Sequence, residues 1–182
     1  MSGVWIAFDI DFNLEDFQKK VNTDLVGKFI NIASRVQKFL KSNGNRIGSE
    51  LDEKIVDSFR NETTAIFSDY VTLDYSNAIK KIMKLADSAN QYIDHNQPWV
   101  LAREKVNEKE VIKISSTGMN LFRILNICLE PIIPETTSKI KLYLNLEQDN
   151  LENLESSIKN HEIQNFKPLI ERIEDEKIEN LI

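Results

Sequence analysis

One cysteine, five glycines and four prolines in 182 residues set the first limits. A lone thiol, Cys128, leaves no internal disulfide and no zinc site built on cysteines, and it fits a reducing compartment such as the cytoplasm. So few glycines and prolines argue against an all-β fold, which needs many tight turns. No apolar run approaches the roughly 18 residues needed to span a bilayer, so no membrane segment is expected. The apolar stretch at residues 4–8 is too short for a secretory signal and no basic residue precedes it. What is present is ordinary for a globular domain: 41% hydrophobic and 29% charged residues, with a mean hydropathy of −0.35. The length suits one domain with a full core.

The net charge of −6 is unevenly placed. Residues 147–182 hold ten acidic and four basic side chains and so carry all of it, while the first 146 residues balance. Within residues 14–46 seven basic side chains (Lys19, Lys20, Lys28, Arg35, Lys38, Lys41, Arg46) face three acidic ones. The global balance is not that of a nucleic-acid binder, but a local basic stripe remains.

Helical periodicity dominates the chain. Leu14, Phe17, Val21, Leu25, Phe29, Ile32, Val36 and Leu40 step by threes and fours, which predicts one long helix with Asn13 at its start. A second helix is expected from about residue 49 to 70, with Ile55, Phe59, Ile66 and Tyr70 on its apolar side. Asp74 caps a third, which Pro98 closes while opening a short helical turn. A fourth carries Val111, Ile114, Gly118, Leu121, Leu125 and Cys128, and Pro131 and Pro134 end it. Thr136 starts a shorter helix, and Phe166, Leu169, Ile170 and Ile173 suggest a last amphipathic piece. Long amphipathic helices with short connections, each burying one stripe, predict an all-α helix bundle.

Catalytic chemistry is sparse. His95 and His161 lie in no metal-binding spacing, the glycines form no phosphate loop, and no Gly-x-Ser-x-Gly elbow occurs. Asp52 and Glu53 read as solvent-facing, and Cys128 as a small core residue. No catalytic residue and no metal ligand is assigned.

Two clusters stand out. Asn31 and Arg35 form an i, i+4 pair roughly 110–150° from the apolar stripe of the first helix, with Lys28 on the same outer face. Pointing outward, an amide and a guanidinium suit the Watson–Crick edge of an unstacked base; an ordinary solvated helix face fits the same spacing. In Gln97-Pro98-Trp99 the proline fixes the backbone before an indole. That ring is either a stacking platform for a base or a core staple between helices.

At these residues the sequence resembles the anticodon-binding domain of the methionyl-tRNA synthetase family. The resemblance runs through Asn13-Leu-Glu-Asp-Phe17, Val21-Asn-Thr-Asp-Leu-Val-Gly-Lys28 and Asn31-Ile-Ala-Ser-Arg35. It continues in Ala86-Asp-Ser-Ala-Asn90, Tyr92-Ile-Asp94, Pro98-Trp-Val-Leu-Ala102, Asn120-Leu-Phe-Arg123, Pro131-Ile-Ile-Pro134 and Phe166-Lys-Pro-Leu169. It implies a helix bundle over residues 9–146 that grips the anticodon loop of a methionine tRNA. Asn31 and Arg35 would read the CAU anticodon, Trp99 would stack on its first base, Pro98 would set the platform, and Lys28 would stand beside them. Residues 147–182 would be an acidic segment packing back on the bundle or on a catalytic domain, and residues 1–8 an N-terminal stump. The family's HIGH-like and KMSKS-like signatures are missing, and no OB-type extension follows. The expectation is therefore a piece of a methionine–tRNA ligase, inactive alone, monomeric and without a cofactor of its own, whose whole enzyme uses ATP and Mg²⁺. The alternative is a non-catalytic helical protein-interaction module derived from a synthetase.

Overall fold

The computed structural model describes residues 13–167 and 169–179; the expected stump at residues 1–8 lies outside them. The chain forms α1 (Leu14–Lys20), a π-helical stretch (Val21–Ile30), α2 (Asn31–Ser42), α3 (Glu53–Val71), α4 (Tyr75–Asn96), α5 (Pro98–Leu101), α6 (Glu108–Leu129), α7 (Pro134–Tyr143) and α8 (Asp175–Glu179). Short 3₁₀ turns lie at Lys105–Asn107 and Leu151–Asn153. Among the described residues the sole β pairing is one isolated bridge between Arg46 and Glu162.

Several helix ends follow the sequence directly. Asn13 Oδ1 accepts the Asp16 amide at 3.1 Å, and Asp74 Oδ1 accepts the Asn77 amide at 3.1 Å. The second helix begins at Glu53 rather than near residue 49, because the preceding chain is tied elsewhere: Gly48 N–H donates to Ser116 Oγ and Asp52 N–H to Thr117 Oγ1. The fourth helix ends at Leu129, before either proline. Pro134 opens α7 instead, at a first-turn position where its missing N–H costs nothing.

The largest departure concerns α6. Sequence periodicity predicts one buried stripe per helix, but every residue from Ile114 to Leu129 is buried. α6 is the central rod, with α2, α3, α4, α5 and α7 around it. Gly118 permits its close approach to α2: a Cβ there would sit 3.1 Å from Val36 Cγ1. Phe122 stacks on Phe29 at 4.7 Å between ring centroids. The buried polar side chains of α6 serve as hooks for non-helical chain. Ser116 and Thr117 hold residues 48 and 52. Asn120 donates to Ile158 O at 3.0 Å and accepts from Ile158 N at 2.9 Å. Arg123 reaches Asp149, Asn153 and Ser156. A buried polar group needs such a partner, so each hook satisfies two groups at once.

The acidic segment after Leu146 thus lies on the bundle, with Leu154, Ile158 and Ile163 joining the core. The described residues of the last amphipathic piece, 166–167 and 169–173, are not helical, and helix appears at Asp175–Glu179. Phe166, Leu169 and Ile170 pack against the core, Phe166 meeting Tyr143 edge-on at 5.4 Å. Side chains of α1 and the π-helical stretch claim the backbone of Ile173: Gln18 Nε2 and Asn22 Nδ2 donate to its carbonyl, and Asn22 Oδ1 accepts its N–H. Cys128 is fully buried, and desolvation pushes its thiol up to about 12, so it is inert at neutral pH.

Candidate nucleic-acid interface

α2 and α4 lie side by side and run parallel. Lys28 meets Asp87, Asn31 meets Asn90 and Arg35 meets Asp94, three pairs with a constant separation of 59 residues. The contacts form a ladder. Lys28 Nζ donates to Asp87 Oδ2 at 2.9 Å, Asn31 Nδ2 to Asn90 Oδ1 at 3.0 Å, and the Arg35 guanidinium to the Asp94 carboxylate. Asn90 uses all its capacity: its amide also donates to Lys28 O at 2.9 Å and Ala86 O at 3.0 Å, and its oxygen accepts Arg35 Nη1 at 3.4 Å.

Sequence geometry places Asn31 and Arg35 on an outward, solvated face. They stand together, as that reading requires, but half-buried against α4, and the Arg35 side chain is only 20% exposed. The correction has a plain cause: a neighbouring helix lies alongside the face that spacing leaves open. Lys28 is half-buried too, paired with Asp87 and 3.9 Å from Asp24. The basic stripe is thus partly neutralised where it meets α4.

Trp99 enters this group from a corner of the chain. Gln97 adopts a left-handed conformation (φ +43°), its N–H bonds Ile93 O at 3.0 Å, and its carbonyl accepts Val100 N–H at 2.8 Å. Pro98 follows as the first residue of α5 and is buried. The corner sets Trp99 half-buried against the core. Arg35 Cζ lies 5.1 Å from the indole centroid, a cation–π contact. The sequence-derived site residues Asn31, Arg35, Pro98 and Trp99 therefore converge, with Lys28 one rung further down the ladder.

Sequence reasoning passed over Asp87, Asn90 and Asp94 as site residues. Their spacing of three and four is that of Lys28, Asn31 and Arg35, with complementary chemistry, and that match is the available signal. Hydrogen bonding and charge from Arg35 hold the exposed Asp94 carboxyl below its ordinary 3.8. A lowered carboxyl contributes stability above its unfolded value and loses it as pH falls through the folded one. In a Trp5→Phe background, which leaves Trp99 as the one indole, acid titration should therefore show the emission changing below pH 4, and this step should vanish when Asp94→Asn is added.

Among the described residues no three His, Cys, Asp or Glu side chains are placed to hold a metal, and no helix is long and apolar enough to cross a membrane. The arrangement brings together a half-buried indole, a guanidinium that engages α4 through two of its nitrogens, and an amide.

Known proteins share this architecture. The methionyl-tRNA synthetase of Mycobacterium tuberculosis in its apo form superposes with a TM-score of 0.82 at 17% identity, over 90% of this chain and 35% of that one. The same enzyme in complex with methionyl-adenylate gives 0.79 at 18% identity, over 87% of this chain and 33% of that one. A methionine–tRNA ligase of Dichelobacter nodosus is 36% identical over 176 residues, which is 96% of this chain and 26% of the relative. The chain thus spans about a quarter of that ligase's length. Residues 42–181 match the family described as the anticodon binding domain of methionyl tRNA ligase, a stretch that takes in the Pro98–Trp99 corner and all of α6. With most of its length so matched, and with the fold of the synthetases around it, this chain belongs to the methionyl-tRNA ligase anticodon-binding domain family.

Proposed function

We propose that the chain reads the CAU anticodon of a methionine tRNA. In this reading Trp99 stacks on the first base, a cytosine, while Asn31 and Arg35 bond the edges of splayed bases, Pro98 fixes the platform and Lys28 adds charge beside them. The observation that carries it is the guanidinium of Arg35 over the Trp99 ring. The two residues are 64 positions apart in sequence, and a corner in an unusual backbone conformation brings them together. Arg35 has five N–H groups and engages α4 with two of its nitrogens, which leaves donors for a base edge. An acidic chain can bind RNA this way, because stacking and edge hydrogen bonds need only a small positive area.

The whole protein would join methionine to its tRNA with ATP and Mg²⁺, as a cytoplasmic and monomeric enzyme. The described residues offer neither a metal cluster nor a phosphate loop, so that chemistry falls to a catalytic domain acting with this one. A protein-interaction module with no RNA role is not favoured, because the matched family and the relative are anticodon-binding and ligase proteins.

Trp5 and Trp99 are the two tryptophans, so a Trp5→Phe background isolates the indole of the site. A CAU stem–loop should quench its emission; emission that stays flat through saturation of the RNA would end the reading. In the same background Arg35→Ala should flatten the preference for CAU over other anticodons more than it weakens binding to all of them.

A further inference from the structure

Ten consecutive residues in π-helical form is a rare arrangement. Such geometry usually comes as single turns, often at functional sites. Here it occupies Val21–Ile30 and ends where Asn31 begins. Each π turn takes up more residues than an α turn, so everything beyond the stretch is swung about the helix axis, by something on the order of half a turn. Asn31 and Arg35 are the first functional side chains beyond it.

Hydrogen bonds tie both ends of the stretch to distant parts of the chain. At its far end Asn90 takes the carbonyl of Lys28 at 2.9 Å. At its near end Asn22 makes a two-bond clamp with the backbone of Ile173, each bond 2.8 Å, and Gln18 adds a third bond at 2.9 Å to the same carbonyl. Gln18 also donates to Asp175 Oδ1 at 2.8 Å, at the start of α8. Gly27 lies within the stretch, and a Cβ there would stand 3.2 Å from the carbonyl oxygen of Asn22, tighter than ordinary contact.

We propose that the π-helical stretch Val21–Ile30 sets the angle at which Asn31 and Arg35 meet Trp99, and that the C-terminal segment, through Ile173 and Asn22, holds that stretch wound. Asn22 is then a positioning residue that acts on the reading pair from more than two turns away. The C-terminal chain becomes part of the decoding apparatus without approaching it. The consequence for RNA rests on the anticodon reading above; the geometry does not.

Two variants of the full chain in the Trp5→Phe background test this. Asn22→Ala removes the clamp. Gly27→Ala crowds the winding and leaves the clamp atoms in place; in an ordinary α-helix it would be stabilising. Both are read by the affinity ratio for a CAU stem–loop over a non-cognate one, by Trp99 emission without RNA, and by thermal melting. The expected result is a ratio lowered at least threefold and a shifted Trp99 emission at temperatures where the fold is intact. Asn22→Asp, which keeps the acceptor for the Ile173 N–H, should recover part of both.

Parent values of ratio and emission in a folded Gly27→Ala overturn the winding claim, and parent values in a folded Asn22→Ala overturn the part given to the tail. If Asn22→Ala does not fold, Asn22→Asp takes its place with the same criteria. If no protein, parent included, binds the stem–loop, the anticodon reading fails. The emission without RNA then decides this inference: a shift upholds it and parent values overturn it.

Discussion

Arg123→Ala should cost about 3–5 kcal/mol of folding stability, the range for stripping one partner from a buried ion pair. For a chain of this size that is a fall of roughly 6–20 °C in melting midpoint. The side chains of Arg123 and Asp149 are 2% and 3% exposed. The guanidinium donates from Nε and Nη2 to both oxygens of Asp149, at 2.9 and 2.6 Å, and to the carbonyls of Ser156 at 2.5 Å and Asn153 at 2.7 Å. Truncation leaves a buried carboxylate without its cation and two part-buried carbonyls without their donor. The loss comes mainly from those orphaned groups, because a well-packed apolar replacement for a whole pair is often near neutral. Arg123→Met combined with Asp149→Leu should therefore be more stable than Arg123→Ala. It should still fall short of the parent, since the carbonyls of Asn153 and Ser156 lose their donor. Thermal or urea melts of the three proteins decide this, and a double variant no better than Arg123→Ala would contradict the account.

Trp99→Ala should weaken binding of a CAU stem–loop by about 1–3 kcal/mol, roughly 5- to 150-fold, as expected for loss of one base-stacking surface. Two contacts go with the ring: its packing against the core and its place beneath Arg35. Circular dichroism and melting must accompany the titration, and Trp99→Phe supplies a folded aromatic control with a smaller face. Phenylalanine should retain a good part of the affinity and alanine little. Equal, undiminished binding by folded Trp99→Ala would leave the indole with a packing role only. A uniform loss over all anticodons with unchanged preference would move discrimination to Asn31 and Arg35 alone.

Periodicity was enough to make this chain all-helical. The threes and fours from Leu14 to Leu40, the caps at Asn13 and Asp74, and the Pro98 corner are local features, and each acts within a turn or two of its own position. The residue types at Asn31, Arg35 and Trp99 likewise offered groups that suit an unstacked base, beside the readings of a solvated helix face and a core staple.

Other features depend on which segments become neighbours. Asn31 and Arg35 are half-buried because α4 runs parallel beside them, a fact that no spacing within residues 14–42 contains. From Ile114 to Leu129 α6 is buried on every side because other helices surround it, and its polar residues are useful there only because distant loops arrive to be hooked. Ile173 belongs to an amphipathic piece, yet its backbone bonds Gln18 and Asn22 rather than a helical neighbour. Hydrogen bonds within a turn are written in adjacent residues. Those that satisfy buried or half-buried polar groups across 59 or 151 positions exist only after packing has chosen the partners.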